Sequence, residues 1–123
     1  MSKSILVVDD SDTVRKVTRL FLKTQVDLEV CGEAVDGVEA IEKAKEPKPD
    51  LIVLDLVMPR MNGIEAASAI KDMLPQVPLV LFTLYGEAVG NAPVSATGID
   101  AVLCKPEGGW KLLECVRSLL QAA

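Results

Sequence analysis

The sequence predicts an α/β fold, a five-stranded parallel sheet covered by helices on both faces. Three observations carry this expectation. Short apolar runs recur at residues 4–9, 28–33, 51–55, 78–83 and 100–104, and segments with helical spacing of apolar residues separate them. The runs Ile5 to Val8 and Leu51 to Leu54 are continuously apolar rather than alternating, as strands buried on both faces are. A length of 123 residues suits one domain of five βα units, with no second, output domain.

The elements follow in order. After the first run, Ser11 is placed to cap a helix over 12–24, whose apolar face is expected on Val14, Val17, Leu20 and Phe21, with Leu22 in weaker phase. A second helix over 37–46 carries Val38, Ile41 and Ala44 on one face and is stopped by Pro47 and Pro49. A third spans Ile64 to Leu74 on Ile64, Ala67 and Ile70, with Gly63 before it and Pro75 and Pro78 after it. A last helix runs from Trp110 to Leu120 on Leu113, Val116 and Leu120. The fourth unit is weakly encoded. Residues 86–98 place Gly90, Asn91 and Pro93 where a helix interior belongs, at about 1 kcal/mol for Gly and about 3 kcal/mol for Pro. That helix is expected to be short, displaced or mobile.

Composition excludes several functions. Thirteen Lys and Arg against 18 Asp and Glu give a net charge of −5 and a pI near 4.7, with no basic cluster, so direct nucleic-acid binding is not expected. No apolar stretch exceeds four residues, against about 18 for a membrane span, and no signal-peptide core follows the N-terminus. A cytoplasmic protein that does not contact the membrane is expected. The three cysteines, Cys31, Cys104 and Cys115, form no CxxC pair and read as buried thiols. The chain has no histidine, which removes His-based nucleophile systems, His-ligated metals and a phosphohistidine of its own.

The informative polar residues stand where apolar runs end: Asp9 and Asp10 after the first, Asp55 after the third, Thr83 after the fourth and Lys105 after the fifth. In an open parallel sheet the ligand crevice lies outside the carboxyl ends of the strands, so three carboxylates are expected to converge there. Two unit charges about 4 Å apart repel by about 4 kcal/mol at an effective dielectric near 20, and a bound cation relieves this. All-oxygen donors select a hard ion, Mg²⁺ or Mn²⁺. Three carboxylates, one divalent ion and Lys105 sum to zero charge, so a phosphoryl group can approach. Asp55 can then act as nucleophile, with Lys105 neutralising charge and Thr83 donating a hydroxyl hydrogen bond. Taken singly, the elements read differently. Asp10, Ser11 and Asp12 can equally cap a helix, and a strand-end threonine or an exposed lysine is ordinary. Asp55, interrupting Leu51 to Met58, is costly to bury without a partner or a site.

Val7-Val8-Asp9-Asp10, the run from Asp55 to Gly63, Thr83 and Lys105-Pro106, in this order and spacing, resemble the receiver domains of two-component response regulators over essentially the whole chain. The resemblance implies a doubly wound, flavodoxin- or CheY-like sheet of order 2-1-3-4-5 and a single receiver domain over 1–123. It implies Asp55 as phosphoacceptor, with Asp9, Asp10, Asp55 and the backbone carbonyl of Val57 around Mg²⁺. It places Thr83 and Lys105 at the phosphoryl group, with their movement reported to the face of the fourth helix, fifth strand and last helix. The donor would be a sensor histidine kinase, a histidine phosphotransfer protein or a small acyl phosphate, and the output an altered affinity for a downstream protein. The domain would be a monomer or a phosphorylation-promoted dimer. It would not be a turnover enzyme, although it would promote its own phosphorylation and dephosphorylation.

Three features depart from the family pattern, the weakly encoded fourth helix being one. Val102 stands three positions before the lysine, where the family commonly has an aromatic switch, and Glu107-Gly108-Gly109-Trp110 replaces the usual aromatic continuation. Residues 84–98 are therefore expected to order or shift on phosphorylation, with Tyr85 as a substitute reporter. Val57 and Tyr85 occupy positions that in this family modulate how long the phosphoryl group persists. Three other readings compete. A phosphorylation-independent interaction domain of the same fold leaves the acidic set unexplained. A flavin binder lacks a Gly/Ser/Thr-rich phosphate loop. A Mg²⁺-dependent aspartyl phosphatase lacks a substrate-capping insertion in 123 residues.

Overall fold

The computed structural model describes residues 2–46, 49–55, 58, 61, 63–83, 99–104 and 109–122, with backbone alone for residues 83, 102, 104, 109, 110 and 122. The strands are β1 (Lys3–Val8), β2 (Leu28–Ala34), β3 (Leu51–Leu54), β4 (Leu79–Thr83) and β5 (Ala101–Cys104). They form one sheet of order β2-β1-β3-β4-β5, and every pairing is parallel. The helices are α1 (Asp12–Lys23), α2 (Gly37–Lys45), α3 (Gly63–Met73) and the last helix, here α4 (Gly109–Ala122). The α/β fold class and strand order expected from the sequence are those observed. The helix expected within residues 86–98 lies outside the described residues.

The sheet divides the core into two halves. On one side Leu6, Val8, Ile52, Leu54, Leu79 and Leu81 pack against Ala40 and Ala44 of α2 and Ala66, Ala67 and Ile70 of α3. On the other, Ile5, Val7, Leu51, Val53, Val80 and Phe82 meet Leu22 of α1 and Leu112, Leu113 and Val116 of α4. Consecutive strand residues point to opposite faces, and both faces are covered, which is why the strands show no polar alternation. Full burial of each Leu, Ile or Val contributes about 1.5–3 kcal/mol. The alanines of α2 and α3 let those two helices lie close to the sheet and to each other.

Local signals place the helix starts. Ser11 has extended backbone (φ −89°, ψ 117°) and its Oγ accepts from the Val14 N–H at 3.2 Å, which makes it the α1 cap the sequence indicates. The Asp36 carboxylate accepts from the Glu39 N–H at 2.8 Å, and Glu39 reaches back to the Val35 N–H at 3.0 Å. Each such cap contributes about 1 kcal/mol. Gly37 opens α2 under Met61, and a Cβ at position 37 would lie 2.8 Å from the Met61 Cβ and carbonyl oxygen. No larger residue fits without displacing Met61.

The buried face of α1 matches the expected one only in part: Val14 and Phe21 are half-buried, Phe21 against the core, but the face is centred elsewhere. Thr18 and Leu22 are buried, whereas Val17 and Leu20 are 47% and 53% exposed. The helix packs against β1, β2 and α4, and its inward stripe runs through Val14, Thr18 and Leu22. At 3.6 residues per turn Leu20 lies about 160° around the helix from Leu22. Apolar spacing alone admits two phases here, and the sheet selects the one with fewer large side chains.

β2 carries a further irregularity. Ile5 pairs with Val30 but Leu6 with Gly32, so Cys31 is an extra residue, a β-bulge. Val30 packs in the half of the core that holds Ile5, whereas Cys31 packs in the half that holds Leu6, the residue that Gly32 pairs with. Cys31 and Cys115 are half-buried rather than fully buried, and burial raises both thiol pKa values above their ordinary range, so both stay protonated and slow to react at neutral pH.

Polar ties close the end of the sheet opposite the strand C-termini. The Ser4 N–H and hydroxyl donate to the Asp50 carboxylate at 2.8 and 3.2 Å. Arg117 of α4 grips both carboxylate oxygens of Asp27 at 2.8 Å each. This fork holds the Asp27 carboxyl down at about 2 from a usual 3.8.

Two outcomes follow from these contacts. Leu22→Ala is expected to destabilise the protein by about 2–5 kcal/mol and Leu20→Ala by about 0.5 kcal/mol or less in urea unfolding; equal losses would show that the inward phase of α1 is misassigned. The depressed Asp27 pKa means that the Arg117 pair stabilises the fold fully above pH ~4, the unfolded-state range of Asp, and that this stabilisation is lost as pH falls toward about 2. The stability gap between wild type and Asp27→Asn should therefore narrow over that window, and a gap independent of pH would exclude the ion pair as its source.

Candidate functional site

β1 and β3 are neighbours in the sheet, and Val8 pairs with Leu54. The residues that follow, Asp9 and Asp55, therefore emerge side by side at the strand C-terminal edge. The Asp55 N–H donates to the Val8 carbonyl at 3.0 Å, and the Asp9 N–H to the Ala34 carbonyl of β2 at 3.0 Å, so both backbones continue the ladder one residue past the strands. Asp10 comes next in the β1–α1 turn. One carboxylate oxygen from each of Asp9, Asp10 and Asp55 lies within 4.8 Å of the others.

The three differ in exposure. Asp9 and Asp55 are 3% and 7% exposed, whereas Asp10 faces solvent. Asp9 is held in detail: its Oδ1 accepts from the Ser11 N–H at 2.9 Å and its carbonyl from Arg15 Nη1 at 2.6 Å. Because Ser11 caps α1, Asp10 is not needed for that role. Its carboxylate is left at the mouth of the acidic cluster.

Two nearly buried carboxylates and a third beside them are a costly concentration of like charge. The donor set fits a hard divalent cation. All three donors are carboxylate oxygens, and ligand atoms around such an ion stand roughly 3–5 Å apart, which the spread of these three, within 4.8 Å, accommodates. Asp9, Asp10 and Asp55 are the residues that could hold it.

The sheet order places the remaining expected residues unequally. Thr83 ends β4, the neighbour of β3, and its backbone pairs with Cys104 of β5, so it stands at the same edge as Asp55. Val102 lies in β5 opposite Leu81. Val57, Tyr85 and Lys105 lie outside the described residues. Sequence reasoning missed Arg15, whose side chain is 11% exposed and reaches both the Asp9 carbonyl and Glu33 of β2. Its signal was an arginine one turn into a helix that directly follows the acidic pair. Gly37 under Met61 was missed as well, because the close approach involves two segments distant in sequence.

Comparison with known proteins agrees with this arrangement. The family model described as response regulator receiver domain matches residues 5–117. The response regulator protein VraR of Staphylococcus epidermidis is 39% identical over 117 residues, which is 95% of this chain and 56% of the relative. VraR of Staphylococcus aureus gives the same identity and coverage. The chain thus spans about half the length of the curated relatives it matches. Among solved structures, the response regulator domain of Thermotoga maritima CheB superposes with a TM-score of 0.88 at 35% identity, covering 98% of each chain. A LuxR-family two-component response regulator from an Aurantimonas species gives 0.92 at 27% identity, covering 99% of this chain and 87% of that one. The acidic cluster at the edge of a 2-1-3-4-5 sheet and these matches lead to one conclusion: the chain belongs to the response regulator receiver domain family of two-component signalling.

Proposed function

We propose that Asp55 is the phosphoacceptor of this receiver, and that Asp9, Asp10 and Asp55, with the backbone carbonyl of Val57, hold a Mg²⁺ or Mn²⁺ ion. The observation that carries this reading is the convergence of three carboxylates within 4.8 Å at the C-terminal edge of β1 and β3. When bound there, the ion would neutralise negative charge and orient phosphoryl oxygens. Asp55 presents a carboxylate oxygen to phosphorus: the new O–P bond forms as the donor's P–N bond breaks, or its P–O bond when the donor is an acyl phosphate. The leaving imidazole or carboxylate keeps the electron pair. Asp9, pinned by Ser11 and Arg15, keeps its place while charge redistributes. Thr83 and Lys105 are assigned to the phosphoryl oxygens, as hydroxyl donor and cation.

With no histidine in the chain, the phosphoryl donor is a phosphohistidine on another protein, a sensor kinase or a phosphotransfer protein, or a small acyl phosphate. Reversal by water, attacking phosphorus and releasing inorganic phosphate, returns Asp55 to its carboxylate. Among the described residues no helix is long and apolar enough to cross a membrane. The acidic balance of these 123 residues favours a protein partner over nucleic acid for this surface. Residues 1–123 are taken as one receiver unit located in the cytoplasm, signalling through β5, the segment before it and α4.

Incubation with acetyl phosphate should add one phosphoryl group to the intact mass when Mg²⁺ is present, and neither Mg²⁺-free protein nor Asp55→Asn should gain it. No gain with any donor would replace this reading with a phosphorylation-independent interaction domain. Val57 and Tyr85 are assigned to control of the phosphoryl lifetime by shielding it from water. Tyr85→Ala should accelerate loss of the phosphoryl group severalfold, and an unchanged rate would remove Tyr85 from that role.

A further inference from the structure

The guanidinium of Arg15 occupies a junction that the phosphoacceptor chemistry does not account for. Its Nη1 donates to the Asp9 carbonyl at 2.6 Å and its Nε to Glu33 Oε1 of β2 at 3.2 Å, while Nη2 pairs with Asp12. The side chain is 11% exposed, so the ties to Asp9 and Glu33 are partly buried, whereas the pair with Asp12 lies at the surface. Glu33 is itself braced: Arg19 Nη1 donates to its Oε2 at 2.7 Å, and Lys43 of α2 donates to its backbone carbonyl.

The consequence lies in the peptide between Asp9 and Asp10. The Asp9 N–H is fixed by the Ala34 carbonyl, its carboxylate by the Ser11 N–H, and its carbonyl by Arg15. Because a peptide unit is planar, fixing the Asp9 carbonyl also fixes the Asp10 nitrogen and the plane from which the Asp10 side chain departs. Asp10 is the exposed member of the three carboxylates and has no strand to hold it. Arg15 joins its peptide plane to β2, at the edge of the sheet.

We infer that Arg15, anchored by Glu33, is a positioning residue that orients the Asp9–Asp10 peptide so that the Asp10 carboxylate meets those of Asp9 and Asp55 in a cation-binding arrangement. This rests on the reading of that cluster as a divalent-ion site. Groups that orient metal ligands without touching the metal typically change affinity about 10- to 100-fold. Electrostatics alone demands the opposite sign. A cation removed from the neighbourhood of an acidic site would let Mg²⁺ bind more tightly, so the two explanations separate by direction.

The test is calorimetric titration of the full, unphosphorylated chain with Mg²⁺, beside thermal unfolding of the same samples. Arg15→Met should weaken Mg²⁺ binding about tenfold or more, and Arg15→Lys, which keeps one donor, should recover part of the loss. Glu33→Asp, which keeps the charge but withdraws the carboxylate from Arg15, should weaken binding in the same direction. The double variant should be no worse than Arg15→Met, since the two act through one contact. If Arg15→Met fails to fold, Glu33→Asp and Arg15→Lys, which both conserve charge, decide the matter by themselves. Mg²⁺ affinity that is unchanged or tighter while the melting temperature falls would overturn the inference and leave Arg15 a purely structural brace. Absence of Mg²⁺ binding by the wild-type chain would instead overturn the ion-site reading, and this inference with it.

Discussion

Three carboxylates gathered within 4.8 Å repel one another, and the architecture at this edge of the sheet is what holds them together. At about 4 Å and an effective dielectric near 20 each pair costs about 4 kcal/mol, comparable to a large part of the 5–15 kcal/mol typical of domain stability. The opposing force is the apolar core. β1 and β3 are buried on both faces, and their parallel register, Val8 against Leu54, leaves Asp9 and Asp55 no freedom to separate. The strain sits at the strand ends, where a cation and a phosphoryl group can relieve it.

The β1–α1 turn illustrates how few groups are needed to orient such a cluster. Asp9 has its N–H, carboxylate and carbonyl each satisfied, by β2, by Ser11 and by Arg15 respectively. Ser11 in turn starts α1, so the same short turn ends a strand, holds a ligand and caps a helix. Arg15 thereby constrains the turn without belonging to the carboxylate cluster.

Strand positions, helix limits and the Ser11 cap were legible from periodicity and cap chemistry to within a residue or two, because burial on two faces leaves a continuous apolar signature and a cap is a local hydrogen bond. The acidic cluster was legible because a carboxylate such as Asp55 in the middle of an apolar run has no structural reason to be there. The inward phase of α1 was not, since Val17 and Leu20 compete with Val14, Thr18 and Leu22 for the stripe, and the neighbouring β2 and α4 choose between them. The bulge at Cys31 was equally hidden, because register depends on the partner strand.

The sequence by itself determined the fold class, the placement of Asp9, Asp10, Asp55 and Thr83 at or just past strand ends, and the exclusion of histidine chemistry, since these follow from residue type and local period. Tertiary structure alone decided that the carboxylates of Asp9, Asp10 and Asp55 meet, that Arg15 and Glu33 brace them, and that Arg117 clasps Asp27 from the other end of the chain. The Arg15–Glu33 and Arg117–Asp27 contacts join residues 18 and 90 positions apart, and separations of that kind are set by strand order and register rather than by any window of sequence.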